Sequence, residues 1–196
     1  TLNIGFVLKY DSNGDLIFTK KFFDNRSNWL RIDDMAINKS GNLCLSGYSA
    51  VISDISNSND IVNILLTPNG DTLWKRYYQL PSNFNHYDNI VNLTNLNEVY
   101  VLGYMVTVPG NWYYILQKYS GSGELLWERT RQNRIFYYLN DFLLNQNEEL
   151  LFTSTEFISP VYAGFLTKIN KNGDLIWDKR IALDSNNSYH LGKLYI

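Results

Sequence analysis

An all-β fold built from repeated sheets is predicted by three features of this 196-residue sequence. Aromatic residues reach 15%, with 15 Tyr, 10 Phe and 5 Trp, a bias that suits side chains packed across a pleated surface. No long 3.6-residue apolar period occurs. Most informative is internal repetition, because the segment FVLKYDSNGDLIF at 6–18 returns as VNILLTPNGDTLW at 62–74, ILQKYSGSGELLW at 115–127 and FLTKINKNGDLIW at 165–177. Its glycines, Gly14, Gly70, Gly123 and Gly173, mark a period of about fifty residues, the spacing of propeller blades or stacked arrays.

Each copy reads as strand, turn, strand. The turns are DSNGD, TPNGD, SGSGE and NKNGD. Gly supplies the positive φ of a tight hairpin, and the Asn or Ser before it tolerates turn geometry. The acid after each glycine (Asp15, Asp71, Glu124, Asp174) is expected to close the turn through a side-chain hydrogen bond to the backbone. In the second strand Phe18, Trp74, Trp127 and Trp177 lie on one face, and Ile17, Leu73, Leu126 and Ile176 on the other. Apolar residues on both faces imply a sheet covered on both sides. Trp74, Trp127 and Trp177 are therefore expected between neighbouring sheets.

A second hairpin follows in three copies: DDMAINKSGNLCLSGY at 33–48, DNIVNLTNLNEVYVLGY at 88–104 and DFLLNQNEELLFTS at 141–154. Leu45, Val101 and Phe152 align, as do Gly47, Gly103 and Ser154. Each repeat thus offers four short antiparallel strands, read as one β-propeller blade. The repeats run over 4–50, 60–105, 111–157 and 162–196, forming one domain or a piece of a larger propeller. The fourth copy stops inside its third strand, and the chain starts at Thr1 with neither Met nor leader. These points suggest a processed product or a piece, with an open edge that a partner chain or further blades would cover. Pairing of residues 2–10 with 189–196 would instead close a four-bladed ring. The stretches 49–60, 79–87, 106–111 and 131–138 read as loops of variable length, where function tends to sit.

The net charge of −2 argues against nucleic acid as a partner, since phosphate binding rests on a basic excess. No stretch approaches the about 20 apolar residues of a spanning helix. The single cysteine, Cys44, excludes an intrachain disulfide and reads as a small buried hydrophobe.

The pattern in GFVLKYDSNGDLIFTKKF and DDMAINKSGNLCLSGYS resembles the bacterial SBBP-type β-propeller repeat, over nearly the whole chain. Phe18 stands where that repeat has Trp, and Ser154 where it has Gly. The blades are more distantly similar to the tryptophan-docked blades of quinoprotein dehydrogenases. The resemblance implies a secreted or cell-surface, outer-membrane-associated protein of Bacteroidota-like bacteria, and no single activity.

Candidate sites were weighed against plain structural roles. Asp11–Asp15 has some calcium-loop character but lacks the later Glu and the proper glycine position, and a hairpin turn explains it. Asp34, Asp88 and Asp141, each followed four residues later by Asn38, Asn92 and Asn145, either face one funnel and bind a cation or polar ligand, or tie down the inner strands. Trp29, Trp112, Tyr113 and Tyr137 either pack between blades or form an exposed aromatic face for a protein or sugar. His86 reads as a solvated loop residue, and no nucleophile triad, HExxH or P-loop occurs. The sequence therefore favours a non-catalytic interaction, scaffold or ligand-binding module without cofactor, its partners other envelope proteins or a glycan. The alternative is a carbohydrate-active or quinoprotein-like enzyme with its site on the propeller funnel.

Overall fold

The computed structural model describes residues 4–23, 29–50, 60–81, 84–107, 110–133, 136–158, 161–181 and 194. It contains fourteen strands in chain order: β1 (Gly5–Tyr10), β2 (Leu16–Phe22), β3 (Trp29–Ile37), β4 (Leu43–Ala50), β5 (Asp60–Leu66), β6 (Thr72–Tyr78), β7 (Phe84–Leu93), β8 (Val99–Thr107), β9 (Trp112–Tyr119), β10 (Leu125–Asn133), β11 (Phe136–Leu144), β12 (Leu150–Ile158), β13 (Val161–Ile169) and β14 (Leu175–Ile181). They form four antiparallel sheets: β1-β2, β3-β4-β5-β6, β7-β8-β9-β10 and β11-β12-β13-β14. No helix occurs among the described residues, so the fold is all-β.

The sheets are out of phase with the sequence repeats. One repeat's second hairpin pairs with the first hairpin of the next, as β4 with β5 shows, so each four-stranded sheet draws on two copies. The reading of one repeat as one sheet is corrected accordingly. The first three repeats each contribute two hairpins, the first closing one sheet and the second opening the next.

The described Asp, Asn, Ser and Thr turns between hairpin strands share one geometry. The first residue donates its N–H to the carbonyl four residues on, and the N–H three residues on returns to the first carbonyl, as in Asp11–Asp15, Thr67–Asp71, Ser120–Glu124 and Asn170–Asp174. The fourth residue has positive φ: Gly14 (87°), Gly70 (85°), Gly123 (81°) and Gly173 (85°), and Gly41, Asn97 and Glu148 in the other hairpins. This is a type I turn with a glycine-type bulge, as the sequence led one to expect. The closing side chain differs from expectation. It belongs to the first turn residue, whose oxygen accepts the N–H of the acid: Asp11 Oδ1 from Asp15 (2.9 Å), Thr67 Oγ1 from Asp71 (3.1 Å), Ser120 Oγ from Glu124 (3.1 Å) and Asn170 Oδ1 from Asp174 (2.9 Å). Short Asp, Asn, Ser and Thr side chains make this bond locally, whichever of them is present.

Four apolar clusters bind the sheets face to face. Val7 and Phe22 pack with Leu45, Val62, Ile64 and Leu66; Cys44, Leu65 and Trp74 with Val91, Val99, Val101 and Tyr119; and Tyr100, Leu102, Tyr114 and Leu116 with Phe142, Leu150, Phe152 and Ile169. Ile61, Leu80, Met105 and Ile115 form the fourth. Cys44 is fully buried, and burial drives its thiol pKa upward. The outer-strand aromatics dock on the turn glycine of the following sheet. A Cβ built on Gly70 would stand 3.0 Å from the Phe18 ring, one on Gly123 2.7 Å from Trp74, and one on Gly173 3.0 Å from Trp127. Trp74 also donates Nε1–H to the Gly121 carbonyl (3.0 Å). Trp74 is buried, whereas Trp127 and Trp177 are half-buried. No described residue lies within 4 Å of the corresponding position on Gly14.

Several stretches read as loops are strand. β10 extends to Asn133 and β11 starts at Phe136, which takes in most of 131–138; β7 starts at Phe84; β8 reaches Thr107. Residues 51–59 of the 49–60 stretch lie outside the described residues, as do 2–3 and 189–193 of the segments considered for ring closure.

Candidate functional site

The first strands of successive sheets, β3, β7 and β11, lie beside one another, and each carries a bulge near its acidic residues: between Ile32 and Asp34, His86 and Asn89, and Leu139 and Asp141. The ladders set the equivalences. Met35, Val91 and Phe142 face Leu45, Val101 and Phe152, so Asp34 and Asp141 are equivalent and Ile90 occupies the corresponding place in β7. Asp88 lies two residues earlier. The expected three-aspartate column therefore does not form, because the sequence match was out of register by two residues in the second copy.

Asp34 and Asp141 bind backbone. Asp34 Oδ2 accepts the Val91 N–H (2.9 Å), joining β3 to β7. Asp141 accepts the N–H of Phe142 on Oδ1 (2.9 Å) and that of Leu194 on Oδ2 (2.6 Å). In the middle sheet, Asn92 Nδ2 donates to the Phe142 carbonyl (2.8 Å) and links β7 to β11 instead. A carboxylate bonded to backbone N–H groups is a strong tie. These aspartates hold sheets together.

Asp88 belongs to a different constellation at the β3–β7 junction. Arg31 spans two carboxylates, with Nε 2.8 Å from Asp33 Oδ1 and Nη2 2.8 Å from Asp88 Oδ1. Its guanidinium also lies over the Tyr48 ring at 5.6 Å. Arg31 and Asp88 are half-exposed, while the Asp33 side chain is buried. Burial, reinforced by the nearby Asp88 charge and opposed by Arg31, pushes the Asp33 pKa up to about 7.

Behind this pair lies His86, which is fully buried in β7 and is not a solvated loop residue. Asn89 Nδ2 donates to the Gly47 carbonyl (2.9 Å), so its Oδ1 accepts from His86 Nε2 (2.8 Å). That arrangement places the imidazole proton on Nε2 and leaves Nδ1 bare. Nδ1 is buried with no hydrogen-bond partner among the described residues, and burial lowers the His86 pKa to about 4. Gly103 makes room for the pair, since a Cβ there would stand 2.5 Å from Asn89 Oδ1 and 2.9 Å from His86 Nε2.

Aromatic rings continue the site outward. Tyr87 and Tyr104 stack in parallel, with centroids 5.4 Å apart and planes 2° apart. Trp112 adjoins both, at 5.6 Å from Tyr87 and 5.7 Å from Tyr104. Tyr104 Oη donates to Asp88 Oδ2 (3.4 Å), joining rings to charges. The bulge between His86 and Asn89 sets this up: it turns both side chains inward and leaves Tyr87 exposed and Asp88 half-exposed between them.

Of the residues singled out from sequence, Asp88 and Trp112 meet here. Tyr113 packs edge-on against Phe84 (5.4 Å) beside the fourth apolar cluster. Trp29 opens β3 and is partly exposed. The side chain of Tyr137 lies outside the described residues. Sequence reasoning missed Arg31, Asp33, Tyr87 and Tyr104, which come from three strands, β3, β7 and β8, and do not share a repeated column with one another. The only signal was the aromatic-charged run His86–Tyr87–Asp88. Among the described residues, no group of three His, Cys, Asp or Glu is arranged to hold a metal ion.

Comparison with known proteins finds no family model and no curated protein that matches this chain.

Proposed function

We propose that this chain is a non-catalytic interaction module of a secreted or cell-surface bacterial protein. On this reading it is an open arc of SBBP-type β-propeller and a subunit of an envelope assembly. The propeller reading is supported by the face-to-face sheets, the half-repeat offset between sheet and repeat, and the docking of each outer aromatic on the next turn glycine. The open arc is supported by the position over Gly14, which no described residue fills.

One observation carries the interaction reading: Tyr87, Tyr104 and Trp112 stack beside the half-exposed Arg31–Asp88 pair. Tyr, Trp and Arg are the residue types that anchor protein interfaces, and here their rotamers are already held by one another. A photo-crosslinking phenylalanine analogue at Tyr87 should trap one discrete protein from the envelope fraction of the producing cells. The same analogue at Leu96, exposed in the Thr94–Glu98 turn, should trap none. No adduct at Tyr87, or the same adducts at both positions, contradicts the reading. A glycan bound at Tyr87 in its place would reassign the partner class.

A second reading, a carbohydrate-active enzyme, is favoured by the buried Asp33 carboxyl, raised to about 7, with the Asp88 carboxyl nearby. Arg31 forms an ion pair with each of them, which weighs against it. Glycoside turnover that Asp33→Asn abolishes would establish this reading.

A further inference from the structure

We propose that the β1–β2 turn is a site of spontaneous covalent modification, at which Asn13 deamidates through attack by the Gly14 nitrogen, while packing between sheets protects the two equivalent Asn–Gly steps. This goes beyond the interaction reading and does not depend on it.

Asparagine directly precedes glycine at three places, Asn13–Gly14, Asn69–Gly70 and Asn172–Gly173, each time at the same position of the same kind of turn. Glycine has no side chain to crowd its amide nitrogen or to restrict the backbone beside it. That nitrogen can attack the Cγ of the asparagine before it. The new N–Cγ bond closes a five-membered succinimide ring, the Cγ–Nδ2 bond breaks, and the amide proton leaves with Nδ2 as ammonia. Water then opens the ring at either C–N bond and leaves aspartate or isoaspartate. The step needs water alone as co-reactant.

All three asparagines are exposed, so access to the side chain does not distinguish them. The backbone does. Ring closure swings the glycine peptide group out of the turn and breaks the bond from its N–H to the first carbonyl of the turn. That bond is 3.2 Å at Gly14, against 3.0 Å at Gly70 and 3.0 Å at Gly173. Gly14 is exposed, whereas Gly70 and Gly173 are buried. A Cβ built on Gly70 would stand 3.0 Å from the Phe18 ring, and one on Gly173 3.0 Å from Trp127 and 2.7 Å from Arg129 Cγ. The Thr67–Asp71 turn is held further. Pro68 fixes φ at its second residue. The Pro68 carbonyl accepts from Lys9 Nζ (2.7 Å), and its ring lies 3.3 Å from a Cβ built on Gly41. Swinging the peptide at Gly70 or Gly173 therefore disturbs the contact with a neighbouring sheet, while at Gly14 a local opening of the turn suffices.

The product alters the hairpin that carries it. Isoaspartate adds one methylene to the main chain of the turn and a negative charge between Asp11 and Asp15. It displaces the N–H groups of Asn13 and Asp15 from Asp11 Oδ1, to which they now donate at 2.8 and 2.9 Å.

The test incubates the whole folded chain in mildly alkaline buffer and follows the three asparagines by proteolytic digestion and mass spectrometry, with aspartyl and isoaspartyl products separated by chromatography. Asn13 should react roughly tenfold faster or more than Asn69 and Asn172. In urea the three rates should converge, because the difference belongs to the fold. Phe18→Ala should speed Asn69 and leave Asn172 unchanged. Global unfolding of that variant would speed both together, and the milder Phe18→Val then decides by speeding Asn69 alone. Equal rates in the folded chain, an Asn13 no faster than the other two, or an order that persists in urea overturns the proposal. An Asn69 rate indifferent to the Phe18 variants also overturns it.

Discussion

Individual residues act here mainly through burial and local backbone geometry. Gly14 and Gly123 share nearly the same positive φ, but only Gly123 is covered by an indole. Gly14→Ala should therefore cost about 1–2 kcal/mol from the left-handed backbone alone. Gly123→Ala should cost clearly more, because its methyl would collide with the Trp74 ring. Urea unfolding of the two variants measures the difference, and equal losses would refute aromatic-on-glycine docking. A second prediction concerns protons. Asp33 is raised to about 7, so the native state holds a proton that the unfolded chain gives up from about pH 4, and stability falls as pH rises through that window. His86 is lowered to about 4, so the unfolded chain takes up a proton first, and stability rises from pH 4 to about 6.5. The two slopes oppose. Asp33→Asn should unmask a stability that increases between pH 4 and 6.5, and His86→Gln one that decreases between pH 4 and 7. Identical pH profiles for both variants would rule out this assignment.

At the scale of strands and sheets, adhesion depends on a few repeated ties. Trp74 is buried, bonded to Gly121 and packed on Tyr119, so Trp74→Ala should destabilise by roughly 3–5 kcal/mol. Asp34→Ala leaves the Val91 N–H without its acceptor and should cost about 1–3 kcal/mol. Thermal unfolding checks both, and near-wild-type behaviour of Trp74→Ala would contradict the packing. This level was well legible in the sequence where chemistry is local. The Gly14, Gly70, Gly123 and Gly173 turns could be read because positive φ and a preceding polar residue leave a compositional trace. The sheet phase could not, since the repeat describes which strands recur but not which hairpins pair. His86 was misjudged because Asn and Tyr neighbours look like loop, while its burial depends on a bulge and on the space left by Gly103. The Arg31–Asp33–Asp88 group was invisible because its members meet only when β3 and β7 come together.

For the whole molecule, the account describes sheets stacked in sequence order as an open arc. One end exposes Phe6 and Leu8 of β1 and the groove beside Met35, which Arg31 and Asp33 of the β3–β7 junction also line. The residues before the four turn glycines, Asn13, Asn69, Ser122 and Asn172, are all exposed and equivalent. Single cysteines there accept spin labels, and buried Cys44 does not compete. Pulsed electron–electron distances between successive labelled turns give the spacing of neighbouring sheets three times over. An open arc predicts a distance between positions 13 and 172 that exceeds all three neighbouring spacings. A distance equal to them would mean a closed four-bladed ring, and the open arc would then be wrong.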